Sequence, residues 1–477
     1  MRLFPSHSVP LLLSETLLCT FLILVYSTVT GDASGLFAAV GSGELRYALR
    51  LLWIAAFGAA GMLGFALLFR RLPDRARRYA PFVAVGVSGL GFLCFALLPG
   101  QGVGTGLGSA LSLTGYGFLT AFVLYHASQE VPRSCFGRFV GVSHGLSAVL
   151  QFFIGSVSWG AAFPALALPC LGALAYLLAR GESPKLAPTP DAAWSAMFRQ
   201  SRAVLLAGAA LLSLMIGVCD SVTVMHFAEY EPTFPETRLF YAAGLLAFGW
   251  LADKRLALLP AAVLVTNTYF LWFRVFHTEA GLFLPLAHLV EPLYDAPIIV
   301  LLTTGFLHAA ARSDRPDLWA AMSRIIELPC MGIGLVAGVA LFPVVPLSLV
   351  LAAYATLLFV GVALLYRAAL LYIETLRENA AAALCGTAES PKASPELPEV
   401  FFEDYCRHYH LTKREKEVLS DLLNGKSVTE IAEETFVTER TVRFHITNLL
   451  TKTGAKNQRT LTASFYQMQD DWQSAEP

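Results

Sequence analysis

The sequence predicts an all-α protein in two parts. Residues 1–373 read as a lipid-embedded bundle of twelve helices, and residues 400–477 as a small four-helix domain, with a flexible linker over residues 374–399 between them. Three observations carry this. The chain is 56% hydrophobic and 14% charged, with a mean hydropathy of +0.58, whereas soluble domains carry about 25% charged residues. Apolar runs near the roughly 20 residues that a bilayer-spanning helix needs recur as far as Tyr372. Beyond residue 400 the chain turns charged, and its apolar residues fall at helical spacing between capping residues.

The runs are Val9–Val29, Tyr47–Phe69, Ala80–Leu98, Thr105–Ala127, Phe139–Val157 and Trp159–Ala179, then, after a polar connector over residues 181–202, Ala203–Thr223, Leu239–Ala252, Leu256–Phe273, Leu282–Ala309, Leu318–Phe342 and Leu347–Leu371. Glycines recur within them, as in GAAGMLGF and GVSGLGF, and small residues let lipid-embedded helices approach closely. The formal net charge of −1 names no partner, but its distribution orients the bundle. Arg70–Arg78, Arg133, Arg138, Lys254, Arg255, Arg312 and Arg315 fall in alternate loops, and the loop from His226 to Glu236 on the other side is acidic. Positive residues mark the cytoplasmic side, so both termini are expected there.

The eight cysteines (Cys19, Cys94, Cys135, Cys170, Cys219, Cys330, Cys385 and Cys406) show no CxxC spacing and read as small buried hydrophobes. Neither a metal site nor a cofactor is expected. No P-loop, nucleophile elbow or kinase core is present, so an enzyme is not expected either. Histidines His126, His144, His226, His288 and His308 are too dispersed in sequence to suggest a proton relay.

Glu15, Asp220, Glu291, Asp295, Arg324 and Glu327 inside the apolar runs are costly unless paired or wet, and of these Asp220, Glu291, Asp295, Arg324 and Glu327 are the candidate ligand site for an unknown small-molecule signal. Glu291 and Asp295 stand four apart on one helix face. Either Arg324 from the next span supplies their counter-charge, or a cationic or hydrogen-bonding ligand does, or one carboxyl stays protonated. Arg324 has the alternative of pairing with Glu327 on its own helix.

In the charged part, Thr412 with Glu415 forms a capping box, followed by Val418, Leu419, Leu422 and Leu423 on one face and a stop at Asn424-Gly425. Val428–Glu434 reads as a second helix. Thr438 caps a third, TERTVRFHITNLLTKTG, whose Val442, Ile446, Leu449 and Leu450 form one stripe while Arg440, Arg443, Thr447 and Lys452 lie opposite. From Arg440 to Arg459 five cations stand with no acid, a footprint for phosphate.

Two family resemblances follow. The loops RRLPDRARR (Arg70–Arg78) and GWLADKR (Gly249–Arg255) sit at equivalent places in two six-span halves, with Asp74 and Asp253 in one slot. They resemble the G-x-L-A-D-[RK] loop signature of major facilitator superfamily transporters, which implies a two-lobed bundle with a central cavity. The stretch from Leu411 closely resembles the LuxR-type helix-turn-helix through Leu411-Thr412, Arg414-Glu415, Glu417-Val418-Leu419, Gly425, Ser427, Glu430-Ile431-Ala432, Thr441-Val442, His445, Lys452 and Gly454, departing from it at Thr435, Thr453 and Gln458. This resemblance implies that Arg443, Phe444 and Thr447 face bases. Arg440, Thr441, Thr438 and Lys452 complete the expected DNA-binding set, on double-stranded promoter DNA and as a homodimer. The two resemblances together imply a one-component regulator in a bacterial cell membrane, in contact with the lipid bilayer. The alternative is a transporter whose tail regulates its own expression.

Overall fold

The computed structural model describes residues 8–30, 35–97, 102–157, 166–180, 192–227, 236–280, 292–341, 343–386, 399–423, 426, 428–435, 437–455, 457–458, 460–462, 464–466 and 468. These residues contain no β-strand. The chain divides into two compact units, Met1–Glu374 and Thr375–Pro477.

In the first unit the described residues form twelve helices of 14 residues or more. They are α1 Val9–Thr30, α2 Gly43–Leu68, α3 Asp74–Leu97, α4 Gly102–Glu130, α5 Phe136–Gly155, α6 Ala167–Arg180, α7 Ala192–Phe227, α8 Thr237–Arg255, α9 Leu259–Ala280, α10 Pro292–Ala310, α11 Met322–Leu341 and α12 Leu347–Gly386. Single turns at Arg133–Cys135 and Pro316–Trp319 lead into α5 and α11. Seven segments, taken from α1, α2, α4, α7, α10, α11 and α12, are long and apolar enough to cross a membrane. The expected run Leu282–Ala309 is represented by α10 alone, because residues 281–291 lie outside the described residues.

By chain order the helices divide into α1–α6 and α7–α12. Within the first, α1 packs on α4, α5 and α6, and α4 on α2 and α3; within the second, α7 packs on α11, and α10 on α8 and α9. The sets meet through α2 with α11 and through α5 with α8. Advancing each helix number by six turns the first of these contacts into the second. Glycine makes the approach possible: a Cβ on Gly249 of α8 would stand 2.6 Å from the Gly137 carbonyl oxygen and 2.9 Å from the Gly141 Cα of α5.

Ion pairs join the two groups at loops that alternate along the chain. Asp253 at the end of α8 has a 5% exposed side chain. It accepts the Gly137 amide at 2.7 Å, the Arg138 amide at 3.2 Å and Arg138 Nε at 2.6 Å. Its carboxylate therefore caps the start of α5, where unpaired amides and the helix dipole favour an anion. Asp74 does not repeat this. Its side chain is 94% exposed and pairs with Arg77 on its own helix. At the equivalent seam the polarity is reversed. Arg70 supplies the cation, 3.0 Å from Asp317, and Arg315 holds the same carboxylate at 2.8 Å. A common sequence slot thus places two acids on two different partners.

The α12 helix continues to Gly386 and takes in the first half of the stretch read as linker. Alanine is the strongest helix former, and ENAAAALC contains no stop before Gly386, so the helix propagates. Residues 387–398 lie outside the described residues.

In the second unit α13 is Glu399–His408, α14 Lys413–Leu423, α15 Val428–Glu434 and α16 Glu439–Thr453, and residues 460–462 and 464–466 are also helical. The Thr412–Glu415 capping box forms as expected. The Thr412 amide donates to Glu415 Oε2 at 2.8 Å and the Glu415 amide to Thr412 Oγ1 at 3.4 Å. The Asn424-Gly425 stop lies outside the described residues. Phe401, Tyr405, Leu411, Val418, Leu419, Ile431, Val442, Ile446, Leu449, Leu461 and Phe465 share one core.

Candidate functional site

Two places combine chemistry with position. The first is α16. Thr438, with extended backbone, accepts the Thr441 amide at 3.3 Å and starts the helix, and Gly454 ends it at φ 71°, where a side chain would be strained. Val442, Ile446 and Leu449 are buried in the domain core. At about 100° per residue, Arg440, Arg443, Phe444, Thr447 and Thr451 fall on the opposite face, and all five are exposed. Phe444 is 62% exposed. A large aromatic held out among cations differs from an ordinary solvated face, and its ring suits a thymine methyl. Arg443 is held by Glu439 at 2.8 Å in an exposed pair, weak enough to exchange for a base or phosphate. The Thr447 hydroxyl donates to the Arg443 carbonyl at 2.9 Å. His445 is half-buried beside this face.

Lys452, expected in the DNA-binding set, has partners within the domain. Its Nζ donates to Glu415 Oε2 at 2.6 Å and to the His410 carbonyl at 3.0 Å. The Glu415 side chain is 4% exposed, and a buried carboxylate needs a cation. Lys452 therefore ties α16 to the start of α14. Burial opposes the charge on Glu415, but Lys452 and the Thr412 amide and hydroxyl outweigh it and hold the carboxyl below its usual range.

The second place lies where α1, α5 and α11 carry buried polar side chains. Arg324 donates Nη1 to Glu327 Oε1 at 2.8 Å, and its Nη2 lies 2.6 Å from His144 Nε2. His144 Nδ1 sits 3.1 Å from the Val140 carbonyl of its own helix. Glu15 is 1% exposed, with Cys19 Sγ donating to its Oε1 at 3.8 Å. The Glu15, Cys19 and His144 ligand atoms lie within 4.8 Å of one another. Nearby hydroxyls join α1 to α5: Thr16 donates to the Ser143 carbonyl, and Thr20 pairs with Ser147 at 3.0 Å.

Of the expected ligand set, Arg324 and Glu327 come together through the own-helix pair, which the three-residue spacing favours. The cross-helix pair of Arg324 with Asp295 does not form, since both guanidinium ends are held by Glu327 and His144. Asp295 is half-buried on α10. Asp220 belongs to a separate cluster, accepting the Tyr294 hydroxyl at 2.9 Å, while Asn267 donates to the Tyr294 carbonyl at 3.2 Å. Glu291 lies outside the described residues. Sequence reasoning missed Cys19 and His144, which come from helices 125 residues apart. The one available signal was Glu15 and Cys19 at i, i+4 spacing inside an apolar run.

Comparison with known proteins agrees with both parts. Residues 409–465 match the family model for bacterial regulatory proteins of the luxR family, GerE. Over 46 residues the chain is 52% identical to the uncharacterized transcriptional regulatory protein YhcZ of Bacillus subtilis (strain 168), covering 10% of this chain and 22% of that protein. The transcriptional regulatory protein LiaR of the same organism is 50% identical over 50 residues, 24% of its length. The spore germination protein GerE, also of that organism, is 52% identical over 46 residues, 62% of its length. The chain thus spans less than two thirds of each of these relatives. Among solved structures, a bacterial homologue of the iron transporter ferroportin in its outward-facing state superposes with a TM-score of 0.52 at 15% identity, over 78% of this chain and 99% of that one. The human organic anion transporter MFSD10 (TETRAN) gives a TM-score of 0.55 at 11% identity, over 76% of this chain and 100% of its own. At these identities the likeness is one of fold. The chain therefore joins a membrane domain with the fold of major facilitator transporters to a C-terminal luxR-type helix-turn-helix domain.

Proposed function

We propose that this chain is a one-component, membrane-embedded transcriptional regulator, in which a twelve-span bundle responds to a small-molecule signal and the cytoplasmic tail binds promoter DNA as a homodimer. The observation that carries this reading is the exposed Arg440, Arg443, Phe444 and Thr447 face on a capped helix, in the same chain as the bundle. Arg443, Phe444 and Thr447 read base edges in the major groove, and Arg440, with the N-terminal residues Thr438 and Thr441, positions the helix on phosphate. A signal acts only through differential affinity for two bundle conformations. Arg324 and Glu327, with Asp295 and Asp220 in the second half, are the charges such a ligand would rearrange. Both termini face the cytoplasm of a bacterial cell, and α12 carries the coupling.

The test uses the full chain in lipid nanodiscs with a random duplex DNA library. The expected result is enrichment of a two-fold-related motif, with an affinity that falls steeply with salt. A folded chain that retains no duplex at low salt would overturn the reading. Transport with self-regulation is the second reading, favoured by the transporter fold. Uptake of a compound by vesicles that contain the chain, with promoter occupancy unchanged by that compound, would favour it.

A further inference from the structure

We propose that Glu15, Cys19 and His144 form a binding site for a divalent transition-metal cation, and that the cation takes the His144 nitrogen held by Arg324. The three ligand atoms lie within 4.8 Å of one another. In a tetrahedral site with bonds of about 2.0–2.3 Å the ligand atoms stand roughly 3.5 Å apart. Cys19 Sγ and Glu15 Oε1, at 3.8 Å, are already near that spacing, and side-chain rotation closes the rest. Imidazole, thiolate and carboxylate together select borderline cations of the Zn2+ and Co2+ class over hard Mg2+ or Ca2+. Three protein ligands leave a fourth position open for water or an exchanging ligand.

His144 is oriented for this. Its Nδ1 faces the Val140 carbonyl at 3.1 Å, the type of contact that fixes a metal-ligating imidazole with its Nε2 lone pair forward. Arg324 Nη2 sits on that lone pair at 2.6 Å. Independently, Glu15 Oε2 and Glu327 Oε2 are buried carboxylate oxygens without a hydrogen-bond partner. Charge balance points the same way. A divalent cation with the Glu15 carboxylate and the Cys19 thiolate is neutral, and the Arg324–Glu327 pair is neutral beside it. That matters where net charge cannot be hydrated. Binding releases the Cys19 thiol proton to solvent and frees the His144 nitrogen from Arg324.

The exchange has a geometric consequence. Glu15, Cys19 and His144 belong to the first six helices, and Arg324 to the second. Filling the site replaces a bond between the halves with bonds inside one half. The binding site stands without the regulator reading, and only this consequence for signalling rests on it.

The test is a Co2+ titration of the chelator-stripped full chain in detergent. The expected result is one Co2+ per chain with a thiolate-to-Co2+ charge-transfer band in the near ultraviolet. Cys19→Ser abolishes the band, and His144→Gln and Glu15→Gln each weaken binding, on the order of tenfold or more. Gel filtration and thermal unfolding check that each variant folds. An R324Q/E327Q double variant removes the competing donor with its counter-charge and should bind Co2+ more tightly; unchanged affinity would overturn the exchange. A folded wild-type chain that binds no Co2+ or Zn2+, or binding that survives both Cys19→Ser and His144→Gln, overturns the site. A chain that binds Co2+ but no DNA keeps the site and removes the regulator reading, and the converse result does the opposite.

Discussion

Lys452 Nζ and Glu415 Oε2, 37 residues apart in the chain, meet at 2.6 Å and close the tail domain around its core. Lys452→Ala leaves a buried carboxylate without its cation, which costs about 1–3 kcal/mol. Urea unfolding of the tail fragment should show that loss. The affinity of the folded variant for DNA should stay near wild type, and a uniform fall in affinity with unchanged stability would instead make Lys452 a phosphate contact.

The same carboxyl gives the tail an acid sensitivity. Its proton affinity is lower in the folded state than its ordinary value of 4.5. The unfolded chain therefore binds more protons in acid, so this contribution is complete above that value and drains away as pH falls below it. Unfolding midpoints measured down through pH 4 should fall more steeply for wild type than for Glu415→Gln. Parallel curves would rule the linkage out.

Arg443→Ala should narrow the gap between operator and non-operator affinity by about 1–3 kcal/mol, as expected for loss of a guanine contact. Because the side chain is exposed, stability should move by less than about 0.5 kcal/mol. Competition binding on the selected motif and on a scrambled duplex measures the gap. An equal loss on both would mean that Arg443 contacts only the backbone.

What sequence could reveal divides by range. The capping box at Thr412 and Glu415, the Thr438 cap and the buried stripe of Val442, Ile446 and Leu449 are local patterns fixed by spacings of three and four, and each forms as read. Pairs that depend on tertiary approach were not legible. The Lys452–Glu415 pair joins residues 37 apart. His144 and Arg324 stand 180 residues apart. Asp74 and Asp253 share a motif position, but only Asp253 finds a helix start across the interface. The Ala-rich segment after Glu374 read as linker because of its Ser/Pro-rich neighbours, although its own composition favours continuing α12.

That difference between the two acids is measurable. Asp253→Asn places an amide donor against the Gly137 and Arg138 amides and should destabilise the bundle by about 1–3 kcal/mol. Asp74→Asn, on an exposed side chain, should stay within about 0.5 kcal/mol. Thermal unfolding in detergent compares them, and equal shifts would contradict the asymmetry.

Orientation is open to a direct check. Reporter fusions after residue 400 and in the Arg70–Arg78 loop should both report the cytoplasm, and one in the His226–Glu236 loop the opposite side. A fusion after residue 400 that reports the outer side would defeat the proposed regulator.

In the proposed regulator, the α12 helix would act as a lever. Its apolar run ends at Leu371, yet the helix runs on to Gly386, which adds about 22 Å of helix. A tilt of roughly 10° in the apolar run would sweep the far end through about 4 Å, whereas sliding the helix by one residue would move it only about 1.5 Å. Leverage therefore favours inputs that tip the last helix over inputs that push it along its axis.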